Sequence, residues 1–357
     1  MSTSTQARAG SGGYVTNASA AEIAASLRAA KRVIVTTHAK PDGDAAGSSL
    51  AIARALRQLG IGVEVWHVGP FQAWLKAIAG DVKLRRLSPE TQPADLITDE
   101  PDAIVITDTG SWVQLDAVAP FVRSRASKTI VIDHHLNGDT AVSARRLVDT
   151  TAAAATEVVV RVIDELLGLK PDAALPTDIA TMLYLGLATD TGWFKFSSTT
   201  PATMRLGARL LESGVDHPAL YELISQQDSQ ARPLLLGRAL NSLTFEAAGK
   251  VGVVSITARD IQECKAGQED TGGFAEPVMS VVGVQVVAVF TDATRAGDLE
   301  PTTKVSMRSK PGASAVDVAA VAASMGGGGH ARAAGLKLKV PLERARELVL
   351  DALRAKV

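Results

Sequence analysis

Short runs that are apolar at nearly every position alternate with Ala- and Leu-rich stretches through the first part of the chain. Arg32–Thr37, Val63–Val68, Ala103–Thr107 and Thr129–Ile132 are rich in Val and Ile. Strands buried on both faces read as such continuous runs, so the pattern predicts a parallel sheet with helices on each side. Gly47–Leu59 is predicted as one of those helices. Thr177–Thr189 is another: Pro176 and Thr177 mark its start, Ile179, Met182, Leu183 and Leu187 share one face, and Asp190 follows its end. No run reaches the ~18 consecutive apolar residues of a membrane helix, so no membrane partner is expected.

Between about Leu211 and Leu236 the pattern turns polar and irregular, which predicts a connecting segment, partly helical in character, over 212–236. Beyond it, strands at Val251–Thr257, Val284–Phe290, Lys304–Met307 and Leu336–Val340 are expected. A helix over Ala315–Met325 and a terminal helix complete a smaller α+β domain. The organisation is thus an α/β domain over 19–211 and an α+β domain over 237–357. Residues 1–18, mostly Ser, Thr, Gly and Ala without periodicity, read as a flexible tail. A length of 357 residues suits two domains.

With 46% hydrophobic and 21% charged residues, the composition excludes a collagen-like repeat, a coiled coil or wholesale disorder. The 37 basic and 38 acidic side chains leave a net charge of -1, so no global field is present to hold long nucleic acid. A nucleic-acid partner should be short or locally gripped. Aromatic content of 4% offers few stacking platforms, which argues against a processive exonuclease. One cysteine, Cys264, excludes an intramolecular disulfide, and the N-terminus lacks the apolar core of a signal peptide; a cytoplasmic location is expected.

Chemistry gathers where the strands end. His38, Asp42 and Asp44 follow the first strand and open a helix, Asp108 follows the Ala103–Thr107 strand, and Asp133, His134 and His135 follow the Thr129–Ile132 strand. In a parallel sheet the carboxyl ends share one edge, where ligands bind at the switch in strand order, so these residues should converge with Asp190. A single Asp at such a place is commonly a helix cap, and His67, inside a strand, and His217, before a proline, read as structural. Three strand ends all bearing ligand-type residues are not explained by caps. Clustered carboxylates repel one another unless cations are present. Imidazole and carboxylate ligands without thiolate suit Mn²⁺ or a similar ion, and two ions ~3.5–4 Å apart can clamp a phosphoryl group and acidify a water. Hydrolysis of a phosphate ester is the chemistry such a site supports.

Asp133-His134-His135, with His38-x3-Asp42-x-Asp44, Asp108 and Asp190-Thr191-Gly192, resembles the DHH phosphoesterases. Met307-Arg308-Ser309 and Gly327-Gly328-Gly329-His330-x-x-Ala333-Ala334-Gly335 resemble the DHHA1 domain of the oligoribonuclease (nanoRNase) branch. The resemblance spans about Ala21 to Leu350. It implies a DHH domain joined to a DHHA1 domain with the active site in the cleft between them. It also implies two Mn²⁺ ions, with Mg²⁺ or Co²⁺ as alternatives: His38 and Asp42 on one, Asp44 and His134 on the other, Asp108 bridging and Asp190 completing the pair. His135 would contact the substrate phosphate or orient the nucleophile, and Asp133 would hold the imidazoles. Arg308, Ser309, Gly328, Gly329 and His330 would grip the substrate. Short RNA, adenosine 3′,5′-bisphosphate, cyclic di-AMP and its linear product pApA are the substrates of this branch, and a homodimer is its expected assembly. Manganese inorganic pyrophosphatase shares the first domain, but the Ser-Arg-Lys-Lys-Gln cluster of that family is missing here. A non-catalytic nucleotide sensor is the third reading, disfavoured by the complete ligand set.

Overall fold

A computed structural model of the chain describes residues 13–69, 73–88, 90–91, 93–295, 297–312 and 315–357. The chain divides into two compact units, residues 1–224 and 225–357.

In the first unit six strands, β1 (Arg32–Thr36), β2 (Gly62–Val68), β3 (Leu84–Leu87), β4 (Ala103–Thr107), β5 (Thr129–Asp133) and β6 (Arg145–Val148), form one sheet in the order β3-β2-β1-β4-β5-β6. Every pairing is parallel, with Ile34 opposite Ile104 and Val105 opposite Ile130. Both faces are covered. Val33, Val35 and Val105 enter a core shared with the helices Gly43–Gln58, Ala155–Leu167 and Thr177–Asp190. Their neighbours Ile34, Ile104 and Ile106 point the other way, into a second core around Trp66, Leu115 and Phe121. The middles of β1, β4 and β5 are therefore apolar at every position, because removing a Val or Ile side chain from water contributes about 1.5–3 kcal/mol on either face. The strand order reverses between β1 and β4, so the crevice at their carboxyl ends is the ligand position of a doubly wound sheet.

β3 and β6 are not predicted from the sequence. Both are edge strands and read Leu-Arg-Arg-Leu and Arg-Arg-Leu-Val, and charge on an edge guards against further pairing while hiding the strand's apolar signature. The expected tail also needs correction where it is described. Residues 1–12 lie outside the described residues, but Tyr14 and Ala18 are buried. Thr16 and Asn17 bond along β6, with Thr16 Oγ1 donating to Val148 O and Asn17 N donating to Arg146 O. These backbone bonds were invisible to a reading of periodicity.

The second unit holds β7 (Thr244–Glu246), β8 (Val251–Ile256), β9 (Val286–Asp292), β10 (Thr303–Ser309), β11 (Gly328–His330) and β12 (Ala333–Leu338), in the order β11-β12-β10-β9-β8-β7. All pairings are antiparallel except β8 with β9. Val286, Ala288 and Phe290 face the helices Val318–Ala323 and Leu342–Arg354, while Val287 and Val289 face Phe274 and the helix Ala231–Asn241. The expected linker 212–236 is largely helical. Helices His217–Ser225 and Ala231–Asn241 bury Leu220 and Leu235, leaving a polar break at 226–230. Among the described residues no helix is long and apolar enough to cross a membrane.

Candidate metal centre

The three strand ends and the Thr177–Asp190 helix bring their side chains together as the sequence suggests. Asp42 caps the Gly43–Gln58 helix, its Oδ1 accepting from the amides of Asp44 and Ala45 at 3.1 Å. Asp44, in the first turn of that helix, is buried and reaches a second helix start, where its carboxylate accepts from Ala155 N at 2.5 Å and Thr156 N at 3.1 Å. A helix N-terminus is a favourable place for a carboxylate, and both oxygens are fixed there. Asp190 arrives because two helices pack backbone to backbone. A Cβ on Gly47 would overlap Met182 O, and one on Gly186 would meet Asp44 Oδ1 at 2.5 Å.

Asp108 stands at the centre. It leaves β4 in a left-handed conformation (φ 61°), costly for a residue with a side chain, and its amide donates to Ile132 O at 2.9 Å. Its Oδ2 lies 3.5 Å from His38 Nε2, and its Oδ1 lies 3.4 Å from His134 Nε2 and 3.7 Å from His135 Nδ1. His38 Nε2 is 3.8 Å from Asp42 Oδ1; His134 Nε2 is 4.0 Å from Asp44 Oδ2 and 3.8 Å from Asp190 Oδ2. Asp108 Oδ1 is buried without a hydrogen-bond partner, an expensive arrangement unless a cation sits beside it.

These spacings have a simple reading. Two ligand atoms each about 2.1 Å from one ion and about 90–110° apart stand about 3.0–3.4 Å from each other. Three sets, His38/Asp42/Asp108, Asp44/His134/Asp190 and Asp108/His134/His135, could each hold a metal ion, their ligand atoms lying within 4.8 Å of one another. Protons supply the positive charge in the metal-free protein. Burial alone would lower His38, but Asp108 and Asp42 hold it up at about 11. Burial likewise opposes protonation of His134, and Asp108, Asp44 and Asp190 carry it to about 10. Burial raises Asp44 well above the usual carboxylate range, with the charges of Asp108 and Asp190 adding to it. Burial holds Asp190 up at about 6, against the pull of His134.

Asp133 plays a different part. It is fully buried, and its Oδ1 accepts from His134 N at 2.8 Å, His135 N at 3.2 Å and His135 Nδ1 at 2.8 Å. Its other oxygen accepts from Tyr14 Oη at 2.6 Å. Tyr14 was missed by sequence reasoning, since it lies 119 residues away in a segment without periodicity. His67 and His217 keep the structural roles expected of them. His67 Nε2 lies 2.9 Å from Ser49 Oγ, and burial lowers the ring to about 3; His217 Nδ1 lies 3.0 Å from Tyr184 Oη. Trp193 and Phe194 line a cavity of about 560 Å³ with Tyr184, Met204, His217 and Tyr221.

The substrate-gripping residues expected in the second unit fare less uniformly. Arg308 is half-buried on β10 and bonds the carbonyl of Met307. Ser309 is buried, and its hydroxyl donates to Val316 O at 2.7 Å, which makes it a support rather than a contact. The glycines are not a free loop, because Gly328–His330 forms the edge strand β11. A Cβ on Gly327 would overlap Leu336, and one on Gly329 would meet Ala333 O at 2.5 Å, so both are small for the sake of β12; around Gly328 there is open space. The side chain of His330 lies outside the described residues.

Comparison with known proteins follows the same division. Residues 32–187 match the DHH family, N-terminal domain, and residues 250–357 match the DHHA1 domain. The chain is 33% identical over 331 residues to the bifunctional oligoribonuclease and PAP phosphatase NrnA of Thermus thermophilus, covering 90% of this chain and 89% of that one. It is 24% identical to a probable enzyme of the same name from Streptococcus mutans, over 88% of this chain and 91% of that one. An exopolyphosphatase-related protein from Bacteroides fragilis shares the fold, with a TM-score of 0.84, 24% identity and coverage of 94% and 95% of the two chains. With its ligand-bearing sheet edge and its second mixed sheet, the chain belongs to the DHH family, carries a DHHA1 domain, and is a phosphoric ester hydrolase.

Proposed function

We propose that the protein is an Mn²⁺-dependent phosphoesterase that hydrolyses short oligoribonucleotides to mononucleotides and removes the 3′-phosphate of adenosine 3′,5′-bisphosphate. Cleavage of pApA and cyclic di-AMP belongs to the same proposal. The observation that carries it is the position of Asp108, one oxygen facing His38 and the other facing His134, so that a single carboxylate can serve two ions. The names of the Thermus and Streptococcus relatives support the substrate class.

In this reading His38 and Asp42 hold one ion, Asp44, His134 and Asp190 hold the other, and Asp108 is shared. Bound there, the pair supplies positive charge to the phosphoryl oxygens and acidifies a water for attack. The chain's own residues set the geometry. The Ala155 and Thr156 amides keep Asp44 from swinging, so its position is defined before substrate arrives. Asp133 engages His135 at Nδ1, leaving Nε2 to hydrogen-bond a phosphate oxygen or hold a proton at the leaving group. Arg308 supplies a charge-assisted hydrogen bond to the remainder of the nucleotide, and His330 of β11 stands across Ala333 of β12 from it, with Gly328 two residues along β11.

Product formation from pApA, adenosine 3′,5′-bisphosphate, cyclic di-AMP and pyrophosphate by the Mn²⁺-loaded protein, beside an Asp108→Ala control, tests the reading. Turnover of the nucleotides that the control lacks is expected. Turnover of pyrophosphate alone, or nucleotide hydrolysis that survives Asp108→Ala, would overturn it.

A further inference from the structure

Tyr14 precedes every motif of the site and lies outside the matched family domains, yet it completes the hydrogen bonding of the site's most buried carboxylate. Asp133 Oδ1 already accepts from two backbone amides and the His135 ring; Oδ2 has the Tyr14 hydroxyl at 2.6 Å. The phenol is an obligate donor there, since a buried carboxylate offers only acceptors. Its ring occupies a slot cut for it: a Cβ on Gly110 or Gly138 would overlap the Tyr14 ring. Both glycines sit in the loops that follow β4 and β5, the strands that deliver Asp108 and Asp133. The segment after Tyr14 is tied to β6 by Thr16 and Asn17, with Val148 N donating to Thr16 Oγ1 at 2.7 Å and Arg146 N donating to Asn17 Oδ1 at 2.6 Å. The segment thus acts as a strap across the edge strand, with Tyr14 as its buckle.

We propose that Tyr14 is a positioning residue for hydrolysis, acting through Asp133 on His135. With Oδ2 pinned, the Asp133 carboxylate cannot turn about its Cβ–Cγ bond. Oδ1 then stays aimed at His135 Nδ1, and the imidazole presents Nε2 in one orientation. Without the hydroxyl, the carboxylate keeps three donors on one oxygen and none on the other, and the ring it orients gains freedom at the reacting phosphate. The inference rests on the phosphoesterase reading above.

Tyr14→Phe keeps the ring in its slot and removes only the hydroxyl, and Tyr14→Ala removes both. At saturating Mn²⁺, Tyr14→Phe should lower kcat for pApA by about tenfold or more, as loss of an outer-shell partner typically does. KM should stay within about twofold, and the melting temperature should fall by only a few degrees, because one buried oxygen loses its donor while the ring still fills its slot. In the Mg²⁺-loaded protein, where no paramagnetic ion erases them, the ¹⁵N side-chain resonances of His135 should shift or broaden in Tyr14→Phe, a change that simple anchoring of the strap would not produce. Tyr14→Ala should melt lower as well. A Tyr14→Phe protein with wild-type kcat and unchanged His135 resonances would overturn the inference. Absence of turnover by the wild-type protein would instead sink the phosphoesterase reading itself.

Discussion

The sheet edge of the first unit and the glycine strand of the second are both built from short motifs, but they use their residues differently. At the sheet edge, His38, Asp108, His134 and Asp190 have little structural work of their own; Asp108 Oδ1 has no hydrogen bond at all. On the glycine strand, Gly327 and Gly329 are small to let β12 approach, and Ser309 ties β10 to Val316. Residues that satisfy no structural need point to chemistry, whereas residues that pack well are as readily explained by the fold. On the proposed function, bond breaking belongs to the first region and the second contributes to affinity.

The contrast breaks most visibly at Asp108. Asp108→Asn should reduce hydrolysis of pApA by on the order of 10³-fold or more while the circular dichroism spectrum stays native, because transition-state contacts are lost and the β4 strand is kept. Activity within tenfold of wild type would remove the central carboxylate from the chemistry. Gly186→Ala should come next. The added methyl group meets Asp44 and Thr156, so stability should fall by about 1–3 kcal/mol in urea titrations. Turnover should fall further, by about 10²-fold, as Asp190 is pushed from the cluster.

The second region gives smaller effects that separate its two kinds of residue. Arg308→Ala should raise KM for pApA by about tenfold, the cost of one charge-assisted hydrogen bond, with kcat within about twofold. Ser309→Ala should leave both constants alone and lower stability by about 1 kcal/mol, read from chemical denaturation. If Ser309→Ala raised KM as Arg308→Ala does, the distinction between support and contact on this strand would fail.

The smallest effect lies on the first sheet away from the chemistry. Burial would raise the Glu64 carboxyl, but Arg85, Lys83 and Trp66 Nε1 hold it down at about 2. A carboxyl held below its ordinary value of 4.5 contributes stability that is complete above that value and is lost as pH falls toward 2. Between pH 5 and pH 3 the urea midpoint of wild type should therefore drop more steeply than that of Glu64→Gln. Parallel slopes would contradict the pairing.

The fold was legible where burial is uniform. β1, β4 and β5 carry unbroken runs of Val and Ile between their ends, and those ends could be placed within a residue or two. β3 and β6 escaped because their arginines serve the edge, and the helices on either side of 226–230 had no sharp ends in the pattern because they are half-exposed. The sheet-edge residues were legible because ligand-type side chains recur at equivalent strand ends. Tyr14 was not, since nothing local to it says that Asp133 lies across the fold. The roles of Ser309, Gly327 and Gly329 depend on which strand lies beside them, information that a glycine run does not carry.

The central claim is that Asp108 serves two ions at once, and electron paramagnetic resonance of the Mn²⁺-loaded protein, with metal counted per chain, tests it most directly. Two Mn²⁺ per chain with a spin-coupled spectrum are expected in the wild type, and in Asp108→Asn a loss of the coupling together with a loss of pApA hydrolysis. A single uncoupled ion in a fully active wild-type protein, or coupling that survives Asp108→Asn, would contradict it.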